Sequence, residues 1–359
     1  DTDSQYVDVL EALEGRPTVP RKRFKRKGVI GSGPVRQLVS ELRPSIGLSP
    51  AARLPRGGIY LNVSQFPLWI DSAFSWLDRN RNISGVFFIH DLLPFRFPEY
   101  FRPGEFDIHR KRMETLARYG AAAIVSTASV ADDLRKELAR LGRRDFLIHV
   151  ATLPVSSTFS APAPISNVDW DGHPFFVFCS TIEPRKNHLM ILHLWRELID
   201  VFGDDAPNLV LIGRRGWENE NILDLLERCP RLKKHVVEVS GLSTPGLRAL
   251  MARARALLMP SFAEGFGLPV AEALAARTPV LCSDIATFRE IGGATAEFID
   301  PIDGAAWREA ILDYAAPNSP RRAAALERLT AYRPTSRADY FAGVEAFLAD
   351  IAARSTSGS

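Results

Sequence analysis

The chain has 359 residues, of which 46% are hydrophobic and 24% charged, and its formal net charge is +3. That length exceeds what one core usually takes, so two domains are expected, and the composition is that of an ordinary soluble globular protein. No apolar run is long enough to span a bilayer, no secretory leader pattern is seen, and Cys179, Cys229 and Cys282 have no metal-ligand spacing, so buried free thiols in a reducing cytoplasm are the simplest reading.

In residues 1–58 no buried opening strand is evident. Arg16, Arg21, Lys22, Arg23, Lys25, Arg26 and Lys27 cluster there. The cluster reads either as a solvated loop or as a contact with a phosphorylated acceptor or an anionic membrane, which would place the protein peripherally at the inner face of the plasma membrane. No nucleic-acid module follows it, so nucleic acid is not an expected partner. Gly31-Ser32-Gly33 has a glycine loop's composition without a preceding strand.

From Gly58 an α/β pattern sets in. Ile59–Val63 and Gly85–Ile89 read as strands, the latter ending in the sharp exit His90-Asp91-Leu92-Leu93-Pro94. Phe95–Phe106 is an aromatic, proline-bearing loop, and Asp107–Tyr119 a basic amphipathic helix. Ala121–Ser126 is a strand, Ser129 a plausible N-cap for a helix reaching Gly142, and Leu147–Val150 a further strand. Pro154–Asn167 reads as a linker, which divides the chain into residues 1–165 and 166–335.

The second part alternates strands Phe175–Cys179, Leu209–Ile212, Val236–Val239, Ala256–Met259, Val280–Cys282 and Ala296–Ile299 with helices, the pattern of a doubly wound parallel sheet. Its first strand leads into Ser180-Thr181-Ile182-Glu183-Pro184-Arg185-Lys186-Asn187-His188, two adjacent cations on a strand-to-helix loop. Its fourth leads into Pro260–Glu272, PSFAEGFGLPVAE, where Glu264 precedes a glycine loop and Glu272 stands eight residues on, in a helix. Loops at the carboxyl ends of parallel strands share one face. Unpaired N–H groups at a helix start suit an anion, and a buried carboxylate pair suits hydroxyl groups. Gly213-Arg214-Arg215-Gly216-Trp217 and Ser240-Gly241-Leu242-Ser243 follow the second and third strands, with Thr244 able to cap the next helix. Helices are expected at 303–315, 320–330 and Arg337–Ala352, and disorder at Ser355–Ser359.

The EPRKN stretch followed by an E-x7-E loop reading EGFGLP resembles the retaining glycosyltransferases of the GT-B fold, family 4 (glycosyltransferase group 1), and in particular mannosyl- and rhamnosyltransferases of bacterial polysaccharides. The resemblance covers most of the chain from about Leu61 onward and implies two Rossmann-like domains facing a cleft, with a last helix (336–354) crossing back onto the first domain. It implies transfer of mannose, or a related hexose or deoxyhexose, from a nucleoside-diphosphate sugar to a hydroxyl of a saccharide or lipid-linked saccharide in cell-surface polysaccharide synthesis.

In that scheme Arg185, Lys186 and the N–H groups of Phe266, Gly267 and Leu268 stabilise charge developing on the departing phosphate. Glu264 holds the donor sugar, Glu272 the ribose, and His90 touches the sugar while Asp91 fixes its loop. Gly213, Gly241 and Leu242 border the nucleotide, as does Trp217, for which packing under its loop is an equal reading. The Ser126–Ser129 loop turns toward the cleft and Phe95–Phe106 toward the acceptor. No divalent metal or other cofactor is expected. A glycosidase reading of the carboxylate pair fails because Glu272 lies a helix away from the reacting carbon. Two departures stand out: Arg277 occupies a turn where the family has glycine, and the opening strand is missing, so the chain is expected to lack the start of the natural protein. A non-catalytic nucleotide-sugar-binding relic and another GT-B enzyme, such as an epimerase, are the alternatives.

Overall fold

The computed structural model describes residues 58–161 and 172–357, with side chains as far as Ser355. The basic cluster at 16–27, the Gly31-Ser32-Gly33 loop, the later part of the expected linker and the last two residues lie outside the described residues.

Strands β1 (Gly58–Asn62), β2 (Ile83–Ile89), β3 (Gly120–Val125) and β4 (Leu147–Val150) form a parallel sheet in that order. Side chains along a strand alternate between faces, so each apolar run serves two cores. Phe87, Ile89, Ala123 and Val125 share one core with Met113 and Leu116 of α1 (Glu105–Tyr119) and with Leu134 and Leu138 of α2 (Ala128–Arg140). Val86, Phe88, Ala122 and Ile124 belong to a separate core on the other face.

The second sheet holds β5 (Phe175–Cys179), β6 (Asn208–Ile212), β7 (Val236–Val239), β8 (Leu257–Met259), β9 (Val280–Ser283) and β10 (Glu297–Ile299), all parallel, in spatial order β7-β6-β5-β8-β9-β10. The chain steps outward from β5 to β7, then returns and steps the other way from β8 to β10. Helices α3 (His188–Phe202), α4 (Glu220–Arg228), α5 (Thr244–Arg253), α6 (Leu268–Ala275), α7 (Ala286–Gly292), α8 (Gly304–Ala315) and α9 (Pro320–Leu329) are interleaved with these strands or follow them. The strands are buried along nearly their whole length, which is why they read as continuous apolar runs rather than alternating ones. The reversal between β5 and β8 is a topological switch point, and it opens a crevice at the carboxyl ends of the strands.

Helix α10 (Arg337–Ser357) leaves the second sheet and closes the open face of the first: Val344 and Ile351 are buried in one core with Val86, Phe88, Ala122 and Ile124. The chain therefore has two parallel-sheet bodies, one completed by the other's last helix. Among the described residues no helix is long and apolar enough to cross a membrane.

Several local expectations are corrected. Thr127, not Ser129, caps α2 by accepting the Val130 N–H, and Ser243, not Thr244, caps α5 by accepting the Gly246 N–H. The segment expected as a pure linker makes a helical turn at Ser157–Ser160 that buries Phe159. Ser355–Ser357 continue α10 rather than trailing off. Arg277 adopts the left-handed conformation its turn demands, with φ 60°, and its guanidinium donates to the Leu329 carbonyl at the end of α9.

Candidate active site

The loops after β5 and β8 meet at the switch point. The main chains are tied by the Phe262 N–H donating to the Arg185 carbonyl at 2.9 Å. Asn187, left-handed at φ 63°, donates its side-chain amide to the carbonyls of Pro260 (3.2 Å) and Pro301 (2.8 Å).

Within this frame the predicted residues converge. Lys186 Nζ donates to Glu264 Oε1 at 2.6 Å, Arg185 donates to Glu264 Oε2 at 3.0 Å, and Ser261 Oγ donates to Glu264 Oε1 at 2.8 Å. Arg185 also donates to Glu183 at 2.6 Å and to the Ala263 carbonyl at 2.6 Å. Thr287 Oγ1 fixes the Glu264 carbonyl at 2.9 Å. All four charged side chains are largely buried. Burial works against the charge of Glu264, but Lys186 and Arg185 beside it hold its carboxyl below the usual range.

This corrects the picture of two cations standing free as an anion site. Glu183 and Glu264 balance Arg185 and Lys186, so the cluster is neutral as it stands. A ligand phosphate would have to compete with Glu264 for the donors. What remains open toward an anion is the start of α6: no side chain caps it, Gly267 sits there at φ 88°, and a Cβ at Gly267 would collide with the Phe288 ring. Phe266 beside it is buried and Leu268 exposed.

Glu272 stands in the second turn of α6, half-buried, and makes no ion pair with another described residue. Burial pushes its carboxyl up to about 7. The neighbouring Cys179 thiol is pushed up to about 12 by burial and by the Glu272 charge, so it is no nucleophile. Gly213 and Gly241 follow β6 and β7 at the same sheet edge, with Leu242 packed partly against the core.

Trp217 packs against the first body. Its indole N–H donates to the Tyr100 carbonyl at 3.2 Å, and the Arg102 guanidinium lies 5.4 Å from its ring centre. It reaches across to the first body and bridges the two, which adds a contact to the two readings its sequence context offers.

From the first body, the β2 exit loop presents His90, exposed and edge-on to Phe88, and Asp91, whose Oδ1 accepts the Leu93 N–H at 3.1 Å. Gly265 packs so closely on this loop that a Cβ there would come within 2.8 Å of the Asp91 Cβ. Burial raises the Asp91 carboxyl despite the Leu93 N–H and the Arg185 charge, which favour its ionised form. Thr127 Oγ1 donates to the Gly265 carbonyl at 3.3 Å. Glu290 on α7 accepts the single N–H of Ala128 on both carboxylate oxygens, at 2.7 and 2.9 Å, capping α2 from the opposite body. Tyr100 and Phe262 stack across the cleft at 5.8 Å.

Sequence reading missed Glu183, Ser261 and Thr287, and read the charges of the Phe288–Gly293 loop, Glu290 among them, as structural without naming a partner. Ser261, three residues before Glu264, was the detectable signal; the partnership of Glu290 with α2 has none, because it joins elements that only the fold brings together. Among the described residues no group of three His, Cys, Asp or Glu side chains is gathered as a metal-ligand set.

With this geometry in hand, four likenesses bear on the chain. Residues 173–316 match the family model described as glycosyl transferases group 1. The chain is 32% identical over 224 residues to the serotype-specific mannosyltransferase WbdA of Escherichia coli, covering 57% of this chain and 26% of that protein. It is 31% identical over 224 residues to the O-antigen chain mannosyltransferase B of Escherichia coli, covering 60% of this chain and 56% of that protein. The chain thus spans about a quarter to a half of these curated relatives. Among solved structures, the UDP-forming α,α-trehalose-phosphate synthase of Burkholderia vietnamiensis superposes with a TM-score of 0.63 at 14% identity, over 83% of this chain and 75% of that one.

Proposed function

We propose that the chain, whose residues 173–316 match the glycosyl transferases group 1 model and whose two sheets have the GT-B fold, is a retaining glycosyltransferase acting on a nucleoside-diphosphate sugar. The donor would carry mannose or a related hexose, since the relatives named above are mannosyltransferases. The acceptor would be a hydroxyl of a saccharide or lipid-linked saccharide in cell-surface polysaccharide synthesis, and an anionic membrane surface the setting.

The observation that carries this reading is the convergence of Lys186, Arg185 and Glu264 beside the uncapped start of α6. The chemical problem is charge on the leaving group. As the bond from the anomeric carbon to the β-phosphate oxygen breaks, negative charge collects on the phosphate, and preorganised donors there lower the barrier. Lys186 and Arg185 are held within reach by Glu264, so they need only shift part of their bonding from a carboxylate to a phosphate. Glu264 in turn is left with acceptor capacity for donor-sugar hydroxyls. Glu272, half-buried and with its carboxyl raised by burial to about 7, suits a ribose diol, because its protonated form can donate as well as accept. The acceptor oxygen attaches on the face the phosphate leaves, and its proton passes to the departing phosphate oxygen. No metal ion enters this scheme.

The test is a thermal-shift panel of GDP, UDP, dTDP and ADP, with and without EDTA. One nucleotide raising the melting temperature, EDTA having no effect, and the shift vanishing in Lys186→Ala would support the proposal. No shift with any nucleotide would overturn it.

A further inference from the structure

At the end of the second sheet opposite the catalytic loops, Arg255 stands just before β8 and ties it to β5, its N–H donating to the Phe175 carbonyl at 2.8 Å. Its side chain lines a cavity of about 300 Å³ together with Arg322 and Leu326 of α9 and Pro317, Asn318 and Ser319 of the α8–α9 connection. We propose that this cavity binds a phosphate monoester, separately from the donor site, with Arg255 and Arg322 holding the phosphate and the apolar rim taking the organic body. The inference stands apart from the glycosyl-transfer reading and does not need it.

Charge is the first argument. Among the described residues neither guanidinium is in an ion pair, whereas Arg321, next along α9, pairs with Glu297 and Glu309. Asp313 accepts Ser319 Oγ at 2.6 Å and does not line the cavity. Both arginines are half-buried, so their charges are only partly hydrated. Burial works against the charged form of each, and the charge of Arg322 works further against that of Arg255. Buried charges are ordinarily paired, and an anion seated between these two would relieve both costs.

Geometry is the second. Arg255 donates from Nε to the Tyr314 carbonyl and from Nη2 to the Ala316 carbonyl, both at 2.5 Å, and Arg322 donates from Nε to the Arg255 carbonyl at 3.0 Å. These bonds anchor both side chains to the end of α8 and to each other, yet use only part of each five-donor guanidinium. Two anchored planar forks match phosphate oxygens, and their two charges match a dianion better than a single carboxylate.

The rim is the third. Pro317 and the exposed Leu326 are apolar, and the Asn318 amide both donates and accepts. Such a rim suits the carbon skeleton and hydroxyls of an ester rather than a free ion. The ester is either a soluble metabolite or a lipid headgroup, and the two share the phosphate that the arginines would hold.

The experiment uses the full chain in a Lys186→Ala background, which takes the donor site's lysine out of the titration. Calorimetry is run with inorganic phosphate and glycerol 3-phosphate, and co-sedimentation with phosphatidylcholine vesicles with and without phosphatidic acid. Arg322→Gln and Leu326→Glu are added to that background in turn. Glycerol 3-phosphate should bind once per chain and more tightly than inorganic phosphate, and Arg322→Gln should weaken it roughly tenfold or more. Leu326→Glu sets a carboxylate one turn from Arg322. It should raise the melting temperature in phosphate-free buffer and abolish ester binding, a combination that a damaged fold does not give. Arg322-dependent binding of the soluble ester would support the site with a soluble ligand; Arg322-dependent binding of phosphatidic acid vesicles alone would support it with a lipid headgroup. Ester affinity unchanged by Leu326→Glu, or no binding of either phosphate ester or vesicle, would overturn the proposal.

Discussion

Replacing Glu264 by Gln isolates the charge balance at the switch point. The carboxylate receives Lys186 Nζ at 2.6 Å, Arg185 at 3.0 Å and Ser261 Oγ at 2.8 Å, all buried. Removing one partner from a buried ion cluster costs about 3–5 kcal/mol, because the opposite charge is left uncompensated. The amide keeps one acceptor oxygen for Lys186 or Ser261, so the lower end, about 3 kcal/mol, is expected. At about 2–4 °C per kcal/mol for a body of this size, the melting temperature should fall by about 6–12 °C. The same change leaves the cluster with one excess positive charge, so a nucleoside diphosphate should stabilise the variant more than it stabilises the wild type. The sign with pH also follows. Glu264 is held below the usual carboxyl range, so its contribution is present above the unfolded-state value and is lost as pH falls through the folded one. The gap between wild type and E264Q should therefore narrow in acid. Urea unfolding at several pH values, with and without nucleotide, reads all three effects. A loss under about 1 kcal/mol, or a gap that does not change with pH, would refute the reasoning.

Three further outcomes are expected. Glu290→Ala removes a carboxylate cap worth about 0.5–2 kcal/mol at α2; because the cap joins the two bodies, small-angle scattering should show a more open chain, and KM should rise several-fold with kcat less affected. Glu272 is raised to about 7 by burial, so its protonated form favours the fold and that contribution fades as pH climbs from the ordinary carboxyl value through 7; Glu272→Gln should flatten this part of the stability profile and weaken nucleotides more than deoxyribose analogues. His109 is lowered to about 4 and His188 to about 3, each first by burial, so both stabilise the neutral-pH fold and that stability should be lost as pH falls from about 6.5 toward those values, a trend that melting curves in graded buffers would reveal.

Much of this arrangement was legible in the chain. Phe175–Cys179 and Gly85–Ile89 announce buried strands by unbroken apolarity, and a strand running into Glu183–Asn187 or Ala263–Leu268 announces a loop at the shared carboxyl edge. That Arg185, Lys186 and Glu264 should meet followed from the winding of the sheet. That they should neutralise one another did not, because the tight turn at Pro184–Lys186 sets which way each side chain leaves. The two misassigned caps share a cause: Thr127 and Ser129, like Ser243 and Thr244, are chemically competent neighbours, and only the register of the first turn selects between them. Trp217 was ambiguous because the exit direction of its loop is decided by the bridge from Ile182 to Arg215 and by Tyr100, both remote in sequence.

The return of α10 to the first sheet has a consequence for biogenesis. When the ribosome has delivered β1 to β4, the apolar face bearing Val86, Phe88, Ala122 and Ile124 still lacks Val344 and Ile351. At roughly 5–20 residues per second, on the order of ten seconds or more must pass before α10 emerges to cover it. During that interval the second sheet can mature on its own, while the first is a sticky, half-clothed intermediate. The first half to be made is thus the last to be finished, and a chaperone that shields this face during synthesis should raise the yield of active protein more than one offered to the completed chain.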